Sequence, residues 1–321
     1  MINENKTIVN TPLIFFGTPL FAVPALEALV KNGYSIVGVV TRPDEPAGRN
    51  QILTPPPVKI AAERLGIPVF QPEGFDAKHF AEEIPAAELF IVAAYGKIIP
   101  QSILNLAPRG TLNIHPSLLP KWRGPSPIQS AIMAGDEHTG VSIMLLDELM
   151  DHGPIVAQRT VPLPPRATYP LLHDTLAELG AIMLIETIPP YLAGKIKPVM
   201  QNDEQATFSK ILKRNDGRAL WDRPAESIDR MVRALNPWPG VWTIWPGTII
   251  YRLKIEEALA VTDTPAQGSA GYVWQNENFP LLVKTGHGSL AIQKAILEGR
   301  RPLTGVELAR GYPAMIGATL V

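Results

Sequence analysis

The first hundred residues set unbroken apolar runs of strand length between longer stretches with helical spacing, and this rhythm narrows the fold more than any other feature. Runs at 13–16, 35–41 and 89–95 are each followed by a helical pattern, at 19–31, 57–65 and 98–106. A strand with one wet face alternates apolar and polar residues; these do not, so both faces need cover. Strands buried on both sides and joined by helices build a doubly wound, Rossmann-like α/β sheet, with ligands at the carboxyl ends of its strands. Gly17 stands where a dinucleotide fingerprint would begin, but Pro19 and Ala22 fill positions where that fingerprint needs glycine. Gly17 therefore reads as a tight strand-to-helix turn, with Pro19 in the first helical turn.

Further strands are expected at 110–115 and 141–146 with a helix around 126–134 between them, then a long helix at 168–192 interrupted near Pro189-Pro190. After a polar stretch at 198–209 comes a helix at 225–234 with Ile228, Met231, Val232 and Leu235 on one face. Short strands follow at 243–245, 248–255, 270–274, 281–285 and 289–295, with glycine-marked turns that suggest a small β-barrel. With 321 residues and 46% hydrophobic content the chain can fill two cores. The expected division is a catalytic domain at 1–204 and a second domain at 205–321, with a linker around 198–215.

The formal net charge of −1 conceals an asymmetry: residues 1–204 hold 15 basic against 20 acidic residues, and 205–321 hold 14 against 10. A basic second half is compatible with a polyanionic partner and equally with an ordinary solvated surface. The absence of cysteine excludes disulfides, thiolate metal sites and a cysteine nucleophile. A polar first decapeptide and apolar runs far shorter than the ~20 residues of a bilayer span point to a cytoplasmic protein with no membrane segment. A monomer is the expectation.

Chemistry concentrates in Asn113-Ile114-His115-Pro116-Ser117-Leu118-Leu119-Pro120. Residues 113 and 115 of a strand project to the same face, so an amide and an imidazole become neighbours at the strand's carboxyl end. An Asn N–H can donate to a developing oxyanion, and a His can carry a proton near neutrality, which suits addition of an amine to a carbonyl. A structural His beside a strand cap fits the same pattern. Asp147, Glu148 and Asp151 follow the 141–146 strand; if the two strands are neighbours, one carboxylate can reach His115, and a solvated acidic turn is the other reading. His115, Asp151 and His152 match no metal-ligand spacing, and Ser117 lacks a nucleophile elbow, so neither a metal nor a serine triad is expected.

These residues belong to a wider pattern that resembles the methionyl-tRNA formyltransferase family over nearly the whole chain: FFGTPLFAVPALEAL at 15–29, RPDEPAGR at 42–49, LTPPPVK at 53–59, GIPVFQP at 66–72, VAAYGKIIP at 92–100, NIHPSLLPKWRGPSPIQ at 113–129, AGDEHTGVSIMLLD at 134–147 and RALNPWPG at 233–240. The resemblance implies 10-formyltetrahydrofolate as formyl donor, the amino group of initiator methionyl-tRNA as acceptor, no metal, and an OB-like C-terminal barrel that binds tRNA. It assigns catalysis to Asn113, His115 and Asp151, and the folate loop to Ser117, Leu118, Leu119 and Pro120. Phe21 would face the methionyl end, and Arg49 would lie in a loop against the acceptor stem. The chain departs from the family in that loop, where Asn50-Gln51-Ile52 replaces Gly-Lys-Lys, and in Pro116 and His152 near the chemistry. A formyltransferase acting on an amino-sugar nucleotide is the rival activity, and a non-catalytic folate- or RNA-binding protein the rival of another class.

Overall fold

Strand β1 (Leu13–Gly17) is buried at all five positions, as an unbroken apolar run requires, and lies inside a seven-stranded sheet, third from one edge. The computed structural model describes residues 10–48, 51–74, 76–247, 250–262 and 268–321. It divides into two compact units: residues 1–127, 138–162 and 172–210 form the first, and 128–137, 163–171 and 211–321 the second.

In the first unit β1 pairs in parallel with β2 (Ile36–Val40) and with β6 (Leu89–Ala93). The latter pairs in parallel with β7 (Thr111–His115), and β5 (Val69–Phe70) adds a parallel edge beyond β2. Between them run α1 (Val23–Lys31), α2 (Pro57–Arg64), α3 (Ala77–Glu83) and α4 (Gln101–Leu104), the last shorter than its periodicity predicts. A hairpin of β3 (Glu45–Ala47) and β4 (Ile52–Thr54) interrupts the β2-to-α2 connection. On one sheet face the rings of Phe16, Phe80, Phe90 and Tyr95 form a cluster, with Phe16 centroids 5.3 Å from Phe90 and 5.6 Å from Tyr95. Helix α3 supplies Phe80 and is capped by the Asp76 carboxylate accepting from His79 N at 2.9 Å.

Two expectations need correction, and the sheet has an edge that the apolar rhythm does not record. The sheet is mixed: β8 (His138–Leu145) pairs antiparallel with β7, and β9 (Ile155–Pro162), a strand without an apolar run, pairs antiparallel with β8. The long helix, α6 (Tyr169–Leu192), is not interrupted at Pro189-Pro190. The two missing N–H groups fall in its last turn, and Ala193 N and Lys195 N still bond the carbonyls of Pro189 and Pro190 at 3.1 and 2.8 Å. Pro19 precedes a 3-10 turn, Leu20–Ala22, and α1 begins only after it.

The second unit includes most of α5 (Pro127–Ala134) and all of α7 (Ala225–Leu235), whose buried face carries Ile228, Val232 and Leu235, with Met231 half-buried. Its antiparallel sheet has the order β10 (Val241–Trp245), β11 (Tyr251–Val261), β14 (Ser289–Leu297), β13 (Leu282–Lys284), β12 (Val273–Trp274), with β15 (Pro302–Thr304) pairing β14 ahead of α8 (Gly305–Gly311). Alternation is clean in β10, where Val241, Thr243 and Trp245 are buried and the residues between them are not.

Candidate active site

Strand β7 carries Asn113 and His115 on one face, both buried, at 7% and 4% exposure. The ring of His115 is fixed from two sides. Its Nε2 lies 3.0 Å from the Trp122 carbonyl; a carbonyl only accepts, so Nε2 carries the proton there. Its Nδ1 lies 3.6 Å from Asp151 Oδ1, within ion-pair distance of a partly buried carboxylate and too long for a direct hydrogen bond. The other Asp151 oxygen accepts from Gly124 N at 2.7 Å. Among the described residues, the carboxamide of Asn113 has no hydrogen-bond partner, which leaves it able to meet a ligand.

The route to this arrangement differs from the sequence expectation. Since β8 runs antiparallel, with His115 opposite Ser142 and Leu112 opposite Leu145, the acidic stretch leaves β8 level with the start of β7 and must turn back to reach His115. Gly153 permits the turn: a Cβ there would lie 2.0 Å from the Leu145 carbonyl. Asp151 itself adopts a left-handed backbone, φ 50°, a conformation that Asp tolerates better than most residues. Of the three acids, Asp151 reaches the imidazole, while Asp147 Oδ2 bonds His152 Nδ1 at 2.7 Å. That bond and the negative charges of Asp147 and Asp203 raise the His152 pKa above its ordinary value, against some desolvation.

The expected folate loop uses its backbone on itself. Ser142 Oγ donates to Ser117 O at 2.7 Å and accepts from Leu119 N at 3.1 Å, and Gln158 Nε2 bonds both Ser142 Oγ (2.8 Å) and Leu119 O (3.0 Å). Ser117 Oγ donates to Lys121 O at 2.6 Å, and Lys121 N to Leu118 O at 3.0 Å. Ser117 and Leu119 are buried, so Leu118 and Pro120 are the half-exposed members that can offer an apolar surface. Ser142 and Gln158 are polar side chains on strands paired with each other, and no motif marks them in the sequence.

Residues 120–124 are strapped by the stretch expected as linker. Thr207 N donates to Pro120 O at 3.2 Å, Trp122 N to Thr207 Oγ1 at 2.9 Å, Arg123 N to Thr207 O at 2.9 Å and Ser209 N to Arg123 O at 2.7 Å. Residues 207–209 are therefore part of the first unit's structure rather than a free connection. Phe21 is buried with its ring edge-on to His173 at 5.5 Å, and no described contact joins it to Asn113 or His115. Arg49 and Asn50 lie outside the described residues; earlier in the chain Asp44 is held by Lys59 Nζ at 2.8 and 2.9 Å and by Gln71. Among the described residues, no group of three or more His, Asp or Glu could hold a metal ion, and no helix is long and apolar enough to cross a membrane.

The model of the family described as Formyl transferase matches residues 11–188, and that of Formyl transferase, C-terminal domain, matches 211–313. The methionyl-tRNA formyltransferase of Chloroflexus aggregans is 47% identical over 305 residues, covering 94% of this chain and 97% of that protein. The chain belongs to the methionyl-tRNA formyltransferase family. Solved structures agree in fold at low identity. The Helicobacter canadensis N-formyltransferase, in complex with folinic acid and dTDP-3-aminofucose, aligns with a TM-score of 0.65 at 17% identity over 88% of this formyltransferase and 99% of that chain. HypX from Aquifex aeolicus in complex with tetrahydrofolic acid gives 0.62 at 18%; this formyltransferase aligns over 96% of its own length and spans 47% of HypX.

Proposed function

We propose that this enzyme transfers the formyl group of 10-formyltetrahydrofolate to the amino group of methionine esterified to initiator tRNA, using Asn113, His115 and Asp151. The observation that carries the reading is the convergence, on one face of β7, of a carboxamide without a partner among the described residues, an oriented imidazole and a carboxylate 3.6 Å from that ring. The amine attacks the formyl carbon, and Asn113 Nδ2–H donates to the oxygen on which charge collects. With Nε2–H committed to Trp122, the other ring nitrogen of His115 takes the proton shed by the amine; the Asp151 carboxylate stabilises the cation so formed. That proton passes to folate N10 as the bond from N10 to the formyl carbon breaks. No metal is needed in this scheme.

In this reading the half-exposed faces of Leu118 and Pro120 pack on the flat pterin, while Ser117 and Leu119 fix the loop. Phe21 lines the methionyl side through its neighbours, and Arg49 meets the tRNA. The second unit binds the tRNA backbone, with Lys213, Arg214, Arg300 and Arg301 and, from the first, Lys210, all exposed, as phosphate contacts. The enzyme would act in the cytoplasm, as a monomer.

The test is a competition of acceptors. Given 10-formyltetrahydrofolate, the purified protein should formylate methionyl-initiator tRNA and leave an amino-sugar nucleotide untouched; the reverse preference would overturn the assignment. High identity to enzymes named for the tRNA, against 17% to the sugar enzyme, supports the first outcome.

A further inference from the structure

Asp151 is held in a left-handed conformation, φ 50°, while Asp147 and His152 of the same loop bond each other, so the support for its backbone is sought outside the loop. Gln201 does so. Its Nε2 donates to the carbonyls of Asp151 and Gly153, at 2.9 and 2.8 Å, one bond on each side of His152. The amide is oriented in turn, because its Oε1 accepts from Arg123 Nε at 3.0 Å, and the same guanidinium bonds Asp203 Oδ1 at 2.7 Å. Arg123 is 4% exposed, and a cation so buried is confined to the geometry that its partners set. The next residue, Gly124, gives its N–H to the Asp151 carboxylate at 2.7 Å. Arg123-Gly124 thus grips Asp151 twice, through the backbone directly and through Gln201. Across the loop His152 closes the circuit, with Nδ1 on Asp147 and Nε2 3.4 Å from Asp203 Oδ2.

We propose that Gln201, oriented by Arg123, is a positioning residue that fixes the Asp151 carboxylate relative to His115. The inference rests on the catalytic reading of Asp151. Its mechanism is geometric: without two donors on the 151 and 153 carbonyls, the loop relaxes and the carboxylate loses its distance to Nδ1, although every catalytic side chain is still present.

Three variants of the full-length enzyme separate this from a merely structural role. Gln201→Glu keeps the size and the acceptor for Arg123 but loses both donors, whereas Gln201→Leu loses all three bonds. Asp151→Asn reports on the carboxylate itself. Gln201→Glu should lower kcat roughly 10- to 100-fold, with KM for methionyl-tRNA and for 10-formyltetrahydrofolate within about twofold of wild type, and with a lower melting temperature because the 151 and 153 carbonyls lose their donor. In the Asp151→Asn background, Gln201→Glu should cause no further loss, because the two changes remove one function. Wild-type kcat in Gln201→Glu, or a loss that multiplies with that of Asp151→Asn, overturns the proposal. Wild-type kcat in Asp151→Asn overturns instead the catalytic reading beneath it. If Gln201→Leu fails to fold, the Gln201→Glu result still decides.

Discussion

The hydroxyl of Ser142 donates to the carbonyl of Ser117 at 2.7 Å, across 25 residues of chain, and stands behind the loop rather than in it. That hydroxyl also receives Leu119 N and Gln158 Nε2, so one buried oxygen organises three partners. Ser142→Ala would leave Leu119 N and Ser117 O without a partner, at a cost of about 1–3 kcal/mol. The expected outcome is a lower melting temperature together with a several-fold higher KM for 10-formyltetrahydrofolate and an unchanged KM for methionyl-tRNA. Equal shifts in both KM values would separate this loop from folate binding.

Asn113 differs from its neighbours in having no described partner to lose. Its replacement by Ala leaves no orphaned group in the protein, so stability should hardly change. If the carboxamide stabilises charge that develops only in the transition state, kcat falls by about 10²–10³ with KM values nearly constant. Single-turnover formylation with saturating substrates measures this directly, and a kcat within twofold of wild type would exclude the role.

His152 and Asp203 give the network behind Asp151 a pH window. The bond from Asp147, followed by the charges of Asp147 and Asp203, raises the His152 pKa. That pairing therefore stabilises the fold fully below the ordinary histidine value and loses its effect as pH rises through the raised one. Hydrogen bonding to Arg123, and then the charges of His152 and Arg123, lower the Asp203 pKa. Its contribution is present above the ordinary carboxylate value and lost as pH falls through the lowered one. The difference in melting temperature between wild type and His152→Ala should be largest below the ordinary histidine value, where that pKa is normally 6.5, and shrink in alkaline buffer. The pH–rate profile should likewise contain more than one ionisation; a single ionisation unchanged in His152→Ala would deny this residue any part.

What the sequence disclosed, and what it hid, follows from the type of interaction involved. Strands β1 and β6 are legible because burial on both faces forces unbroken apolar runs. Strand β9 is not, since IVAQRTVP exposes half of its positions and its identity comes from pairing with β8, which no local pattern records. Asn113 and His115 are readable as neighbours because two-residue spacing on a strand is geometry in itself. That Asp151 rather than Asp147 meets His115 depends on a loop turning back beneath Gly153, and Gln201, Ser142 and Gln158 enter only through contacts made far along the chain.

Helix α6 crosses β7 where Gly180 leaves room: a Cβ there would lie 2.6 Å from Cγ2 of Ile114, the residue between the amide and the imidazole. Gly180→Ala gains about 1 kcal/mol of helix propensity and forces the strand or the helix to move, which costs about 1–3 kcal/mol. Net destabilisation is expected, with a larger proportional loss in kcat, because a displaced Ile114 carries Asn113 and His115 with it. A stabilised variant of full activity would mean that α6 yields instead of β7.

The basic second unit makes its own claim, which salt can test. Each Lys or Arg that neutralises an RNA phosphate releases counterions, so removing one reduces the slope of log affinity against log salt by about 1. Lys213 and Arg214 are exposed, and the bonds described for this turn use their backbone: Lys213 N to Asp216 at 2.7 Å and Trp242 Nε1 to the Arg214 carbonyl at 3.1 Å. Alanine at either position therefore keeps the local structure while deleting the charge. Binding of initiator tRNA measured over a range of salt should show a shallower slope for each variant and a greater reduction for the pair. Slopes parallel to wild type would reduce both residues to solvated surface charge, and the surplus of this half of the chain would then owe nothing to RNA.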